Sequence, residues 1–292
     1  MADINRTTNS MALPSDISEE IIQKVQEESA VMRLARKIPL PGRGVTIPVI
    51  TGDPTAEWVA ETANKPVSNG TPATKLMSAY KIAVIETFSK EFTRDARTLY
   101  DALVQRLPRV LGGVFDATVI GAVSAPGANF DDFSNCTVVS IENANNGTYL
   151  GLVAADANIA SQGGVMNGVA LGAQGRGLLL SAVDSTGRPI FTPSANDGIV
   201  GKVIGVDAYF NKNLYVAGTS PNPNIVGIAG DWTQAVYGTV SGVDIEVSDT
   251  ATLDLGEGNI INLWQKNMVA VKAEIEVGFR ADTACFNLLA DD

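Results

Sequence analysis

Between Val45 and Phe88 the chain carries β-patterned runs that it has little means of burying on itself. Val45-Thr46-Ile47-Pro48-Val49 alternates and reads as a strand, at a sheet edge because of Pro48. Ala56–Glu61 then sets Trp58 and Val59 among alanines and glutamates. Thr62–Thr74 holds Pro66, Asn69-Gly70 and Pro72, all turn formers. Leu76–Phe88 returns as a β-rich run, long for one strand. Together these segments predict a long two-stranded hairpin, which is marginal without a surface to lie on.

The segment before it has the same difficulty. Met1–Leu13 is polar, aperiodic and read as a tail. Pro14-Ser15-Asp16 opens a predicted helix, with Asp16 and Glu19 at capping-box spacing and Ile17, Ile21 and Val25 forming one stripe. Arg33, Arg36 and Lys37 sit at or beyond its end, and Pro39 and Pro41 stop it. The arm stripe and the hairpin residues Trp58, Val59, Met77 and Tyr80 therefore need a partner surface. Two accounts stay open from pattern alone: the segments fold back on their own chain, or an identical neighbour covers them.

The clearest helix lies between Thr93 and Val123. Leu99, Leu103, Leu107, Val110 and Val114 form its stripe, widened by Tyr100, Val104, Leu111 and Phe115. From Thr98 to Ala122 it spans roughly 37 Å, bent at Pro108 and ended by Ala125-Pro126-Gly127. Residues 129–230 are rich in Gly, Ala and Asn. Strands are expected at Thr137–Val139, Gly177–Val183, Ile199–Val206 and Asn224–Ile228, and short helices at Asp156–Gln162 and Val165–Gln174. Thr239–Val247, Ile260–Trp264 and Met268–Phe279 alternate strongly and predict an antiparallel sheet closing over the long helix.

Composition removes much chemistry. The 292 residues include no histidine, which excludes Ser-His-Asp and Cys-His catalysis and His-ligated zinc. Cys136 and Cys285 cannot supply a zinc site alone and are read as small packed apolar groups. The net charge of −11 argues against a dedicated nucleic-acid or anionic-membrane binder, and no apolar run reaches the length of a membrane span. Gly172-Ala-Gln-Gly175-Arg-Gly177 has the wrong order for a dinucleotide turn, and Gly198–Val203 lacks the Ser or Thr of a phosphate loop. Asp249–Glu257 does not match calcium-loop spacing. Carboxylate pairs such as Asp131-Asp132 and Asp291-Asp292 read as acidic surface. No catalytic, cofactor-binding or metal residue is assigned, and no enzymatic activity is expected.

The order of parts and the wording of several segments resemble the major capsid protein of tailed bacteriophages. The carriers are Ala56–Glu61 followed by Lys65-Pro66-Val67-Ser68, Ile82–Phe92, Asp184-Ser-Thr-Gly-Arg-Pro189, Gly230-Asp-Trp-Thr-Gln-Ala-Val-Tyr-Gly238 and Gln265–Glu274. The resemblance covers nearly the whole chain from the arm onward; Tyr149–Gly175 has no counterpart in it. It implies an α+β fold: an N-terminal arm (1–44), an extended hairpin loop (45–88), a peripheral lobe with a long spine helix (89–125 and 236–292) and an axial lobe (126–235). It implies identical subunits assembling as hexamers and pentamers into an icosahedral head around double-stranded DNA, without sequence-specific binding and without a membrane. Localisation would be the virion, after assembly in the bacterial cytoplasm. The amino-terminal scaffolding segment of some relatives has no counterpart ahead of the arm, so scaffolding either comes from a separate protein, a candidate partner with portal and decoration proteins, or is unnecessary. Candidate interface residues are Ile17, Ile21, Val25, Trp58, Val59, Lys65, Met77 and Tyr80. Some relatives crosslink through Lys-Asn isopeptide bonds; for Lys65 and Lys75, solvation or pairing with carboxylates is the preferred account. The alternatives weighed are an encapsulin-type compartment shell, a monomeric carboxylate-dependent hydrolase and, disfavoured for want of a secretion signal, a surface adhesin.

Overall fold

The structure, a computed structural model, describes residues 29–52, 55–61, 64, 65, 67, 71–90, 109–142, 147–184, 186–191, 200–219, 222–240, 242–254 and 259–291. Two sheets dominate. The first is organised around β14 (Met268–Ala281), whose alternation is the strongest strand signal in the sequence. One edge of β14 pairs antiparallel with β4 (Tyr80–Ser89). Its other edge is shared by β11 (Asp244–Ser248) and β10 (Ala235–Thr239), and β1 (Arg36–Pro39) extends the sheet parallel to β10.

The second sheet has six strands in the order β5-β15-β9-β6-β8-β7. They are β5 (Thr137–Ser140), β6 (Gly168–Leu171), β7 (Val200–Val203), β8 (Val206–Phe210), β9 (Asn224–Gly230) and β15 (Phe286–Asp291). Along β9, Ile225 and Ile228 face one core while Val226 and Ala229 face another. The second core is covered by α3 (Gly147–Ser161) and α4 (Ala173–Ser181). The first core is common to both sheets and takes in the helical residues 109–119, here α2. The remaining elements are the short helix α1 (Ala30–Leu34), the hairpin pair β2 (Val45–Gly52) and β3 (Thr71–Met77), and the small pair β12 (Thr252–Asp254) and β13 (Ile260–Asn262).

At two adjoining corners the chain passes directly from one sheet to the other. β9 reaches β10 through a single 3₁₀ turn, Trp232–Gln234, and β14 reaches β15 through another, Thr283–Cys285. Each is capped by an aspartate, Asp231 or Asp282. The corners bond to each other through Asp231 N–H to Cys285 O (3.1 Å) and Asp282 N–H to Gln234 O (3.2 Å). Phe133 stacks on Phe286 (4.5 Å between centroids), and Trp232 and Phe279 meet this pair edge-on. Gly230 is required here, because a β-carbon would collide with the Phe286 ring. Both cysteines pack at this joint, and burial pushes the Cys136 thiol up to about 12.

Several expectations need correction. Residues 29–40, placed in the arm, belong to the folded body: Val31, Met32 and Leu40 are buried and β1 is part of the first sheet. The return run of the hairpin breaks at Ser78-Ala79, so β3 stays in the hairpin and β4 crosses into the main sheet. Gly177–Val183 is not a strand, since α4 occupies Ala173–Ser181. Its glycines decide this: Gly172 and Gly175 let the helix lie against the carbonyls of Leu214 and Val226. Conversely, Gly168–Leu171, expected within a helix, is the buried strand β6. The sequence reading kept 236–292 in one lobe, whereas β15 lies between β5 and β9 in the second sheet. In α2 the buried row is Leu111, Phe115 and Val119, while Val110 and Val114 are exposed. Residues 91–108, including Pro108, lie outside the described residues.

Asp116 of α2 ties three regions together. It is fully buried and accepts from Ser29 Oγ (2.6 Å), the Ala30 and Val31 amides (3.0 and 3.3 Å) and Asn211 Nδ2 (2.6 Å). Burial outweighs these donors and pushes its carboxyl up to about 7. A folded-state value above the unfolded one means the folded protein holds the extra proton between about pH 4 and 7. This contribution to stability is complete below that window and lost as pH rises through 7. The melting temperature of the native chain, relative to Asp116→Asn, is therefore expected to fall between pH 5 and pH 8. Asp116→Ala, which strands buried donors at about 1–3 kcal/mol each, should lower it at both pH values.

Candidate subunit interface

The hairpin leaves the body through a polar clamp centred on Arg280, near the end of β14. Its Nε and Nη2 both donate to the Leu76 carbonyl of β3 (2.8 and 2.6 Å). Nη1 donates to Asp131 Oδ1 (2.6 Å) and Nη2 also to Asn129 Oδ1 (3.0 Å). Asp131 Oδ2 accepts the Ala281 amide (3.1 Å), and Lys75 Nζ donates to the Ala281 carbonyl (3.0 Å). Asn129 further donates to Ser78 Oγ and Tyr80 Oη. Asp131, read as acidic surface, is thus half of an ion pair largely withdrawn from water. Asp132 serves locally, accepting from the amide and hydroxyl of Ser134.

Below the clamp, Met77 plugs a gap in the first sheet. Gly238 and Gly278 face each other across β10 and β14, and a β-carbon on either would meet the Met77 side chain at 2.9 Å. Met77 is fully buried there beside Leu40. Its expected need for a neighbour is met by its own chain, and it anchors the hairpin rather than meeting another subunit. Tyr80 is half-buried and turned the same way, edge-on to Phe130 (6.2 Å).

The far end of the hairpin is different. Residues 55–61 are all exposed, and Trp58, at 105% of its reference accessibility, touches nothing that would shield it. Val59, Lys65 and Val67 are exposed as well. Ile17, Ile21 and Val25 lie outside the described residues. The structure therefore separates the candidate residues into an inward pair, Met77 and Tyr80, and an outward group, Trp58, Val59 and Lys65. Sequence reasoning missed Arg280 and Asp131; a lone Arg ending an apolar strand was the available signal.

The outer face of the first sheet carries a ladder of charge. Lys81 lies 3.2 and 3.1 Å from Glu274 and Glu276, and Lys272 lies 2.8 Å from Glu246 and 3.6 Å from Glu274. The hydrogen bond to Glu276 is the main influence raising the Lys81 ammonium, and the one to Lys81 the main influence lowering Glu274. Such exposed pairs contribute little to stability. Their effect is to keep a flat sheet face polar. Among the described residues no group of three or more His, Cys, Asp or Glu side chains is placed to hold a metal, and no helix is long and apolar enough to cross a membrane.

The family model of the phage capsid family matches residues 9–282. The chain belongs to the phage capsid family. It is similar to the probable major capsid protein gp17 of Mycobacterium phage L5, 27% identical and covering 92% of this chain and 86% of that one. The major capsid protein of Staphylococcus phage 80alpha is 23% identical over 94% of this chain and 83% of its own length. A solved chain from Mycobacterium phage Ogopogo superposes with a TM-score of 0.74 at 20% identity, covering 91% and 92% of the two chains. The α+β architecture is thus the phage capsid fold, and the hairpin, clamp and sheets described above are its parts.

Removing the clamp should free the hairpin without unfolding the body. Arg280→Met takes the closer cation from the partly buried Asp131, leaving Lys75 at 3.7 Å, and takes both donors from the Leu76 carbonyl, a cost of roughly 3 kcal/mol. Hydrogen–deuterium exchange should accelerate in residues 71–77 while β9 and β15 stay protected.

Proposed function

We propose that this chain, a major capsid protein of a tailed bacteriophage, assembles as hexamers and pentamers into an icosahedral head enclosing double-stranded DNA. The observation that carries the reading is the fully exposed Trp58 on a hairpin whose root is rigidly held, in a chain of the phage capsid family. A tryptophan so placed is an interface anchor awaiting a partner. A contact between a projecting loop and a different patch on an identical copy is head-to-tail, and such contacts form rings where the rotation between copies closes.

In this assembly the second sheet, with α3 and α4, forms the axial lobe around the capsomer centre. The first sheet and α2 form the peripheral lobe facing neighbouring capsomers. The hairpin, with Val59 and Lys65 beside Trp58, lies across the adjacent subunit, and the arm bearing Ile17, Ile21 and Val25 reaches a neighbour. The net charge of −11 suits a container that encloses DNA without gripping it. The role is structural, with no catalytic step. Assembly takes place in the host cytoplasm, with scaffolding, portal and decoration proteins as the further partners.

Electron microscopy and solution mass measurement of the purified chain test this. Closed shells or rings of five or six are expected, and a chain that stays monomeric at high concentration, both alone and with its scaffolding protein added, would overturn it. Trp58→Asp should lower the assembled fraction at least tenfold and leave circular dichroism and melting temperature unchanged, because the side chain is fully exposed among the described residues.

A further inference from the structure

Four cations, Arg33, Arg36, Lys37 and Arg43, follow one another from α1 through β1 to the next turn, with no acidic residue between them. In a chain of net charge −11 this is a local reversal of sign. Arg33 lies over the Tyr209 ring (4.9 Å), and neither Arg33 nor Arg36 has a carboxylate partner among the described residues. Two adjoining clefts, of about 370 and 430 Å³, share Arg36 and Thr233 and so form one groove between β1 and the hairpin root. Lys75 and Arg280 also line it but are engaged with Asp131 in the clamp, and Ile47, Pro48 and Val236 supply apolar wall. The acid on that wall, Asp282, is engaged in capping its own turn. Among the described residues β1 ends the strand order of its sheet and pairs only with β10, which leaves its other edge for an extended segment.

The same molecule displays a segment of the opposite character. Residues 56–61 are exposed and place Glu57 and Glu61 on either side of Trp58 and Val59. Two carboxylates flanking an apolar pair match a groove of cations flanking apolar wall. A nucleic-acid phosphate backbone would use the cations and leave the apolar wall unfilled, so a protein segment fits better.

We propose that this groove receives residues 56–61 of a second copy, with Arg33 and Arg36 against Glu57 and Glu61, and Trp58 and Val59 against the apolar wall. The inference rests on the shell reading above and adds the surface that accepts the hairpin. Loop and groove lie on different parts of one chain, so each subunit offers both halves of the contact to different neighbours.

Charge reversal tests it in the full chain. Arg33→Glu with Arg36→Glu, and separately Glu57→Arg with Glu61→Arg, should each lower shell yield at least tenfold by electron microscopy and sedimentation. Combining all four reversals should restore at least half the native yield. Should any variant fail to fold, disulfide trapping supplies a second measurement. Cys136 and Cys285 are buried, so an oxidised Arg36→Cys, Glu61→Cys protein should run as a ladder of linked subunits without reductant. An Arg36→Cys, Val165→Cys control should not. A native chain that forms no shells or rings, alone or with its scaffolding protein added, would overturn the shell reading itself. Native shells combined with harmless reversals, absent rescue or no ladder would overturn the groove assignment alone. Normal shells with less enclosed DNA from the arginine reversals would give the groove to nucleic acid and likewise overturn it.

Discussion

The paired corners at which the chain crosses between its two sheets are the constraint on which the rest depends. One crossing runs β9 to β10 and the other β14 to β15, in opposite directions, and each corner donates a backbone hydrogen bond to the other. Neither sheet can shift without breaking both crossings. Asp231 reinforces the joint from the side, accepting the Val165 amide and Asn167 Nδ2 as well as its own cap bonds. Phe133, Phe279, Phe286 and Trp232 fill the angle between the sheets. A subunit built this way behaves as one body, although its two sheets have separate strand orders.

That rigidity is carried outward along β14. Phe279, in the joint, contacts Phe115 and Phe130, and Phe130 contacts Tyr80 at the start of β4. The next residue of β14 but one from Gly278 is Arg280, which grips the hairpin through Leu76. One strand thus holds the joint, the glycine gap for Met77 and the clamp within four residues. The hairpin root is fixed by the same packing that fixes the lobes, while residues 56–61 are exposed beyond it.

The legible parts of this fold were those set by local pattern. The alternation of Met268–Phe279 identified the central strand because one of its faces is buried and the other wet. The wording Asp184–Pro189 is local in the same way: Asp184 Oδ1 accepts from the amides of Thr186 and Arg188, and Gly187 takes a positive φ. The misreadings share a cause in distant partners. Met77 looked orphaned because the glycine pair that receives it lies some 160 to 200 residues later in the chain. Leu178-Leu179-Leu180 looked like strand because nothing local shows that Gly172 and Gly175 will seat a helix against β9. The outward group at Trp58 and Val59 was legible for the opposite reason, since its exposure depends on no distant residue. Arg280 carried too little signal, because its role exists only once β3 and the loop at 129–131 arrive beside it.

A projecting anchor on a stiff root also bears on how contacts between copies can be specific without being individually strong. Association loses translational and rotational freedom, and ordering a mobile loop adds to that cost. Here the clamp, the Met77 plug and the aromatic chain restrict the hairpin before any neighbour arrives, so less remains to be ordered on contact. The exposed charges act in the other direction. The Lys81 and Lys272 ladders leave the outer sheet face satisfied and unattractive to an indiscriminate partner. In a chain of net charge −11, identical copies repel at long range except where cations are locally exposed. In the proposed assembly the distribution of charge selects the orientation of approach, and the apolar residues at the hairpin end act only once that orientation is reached.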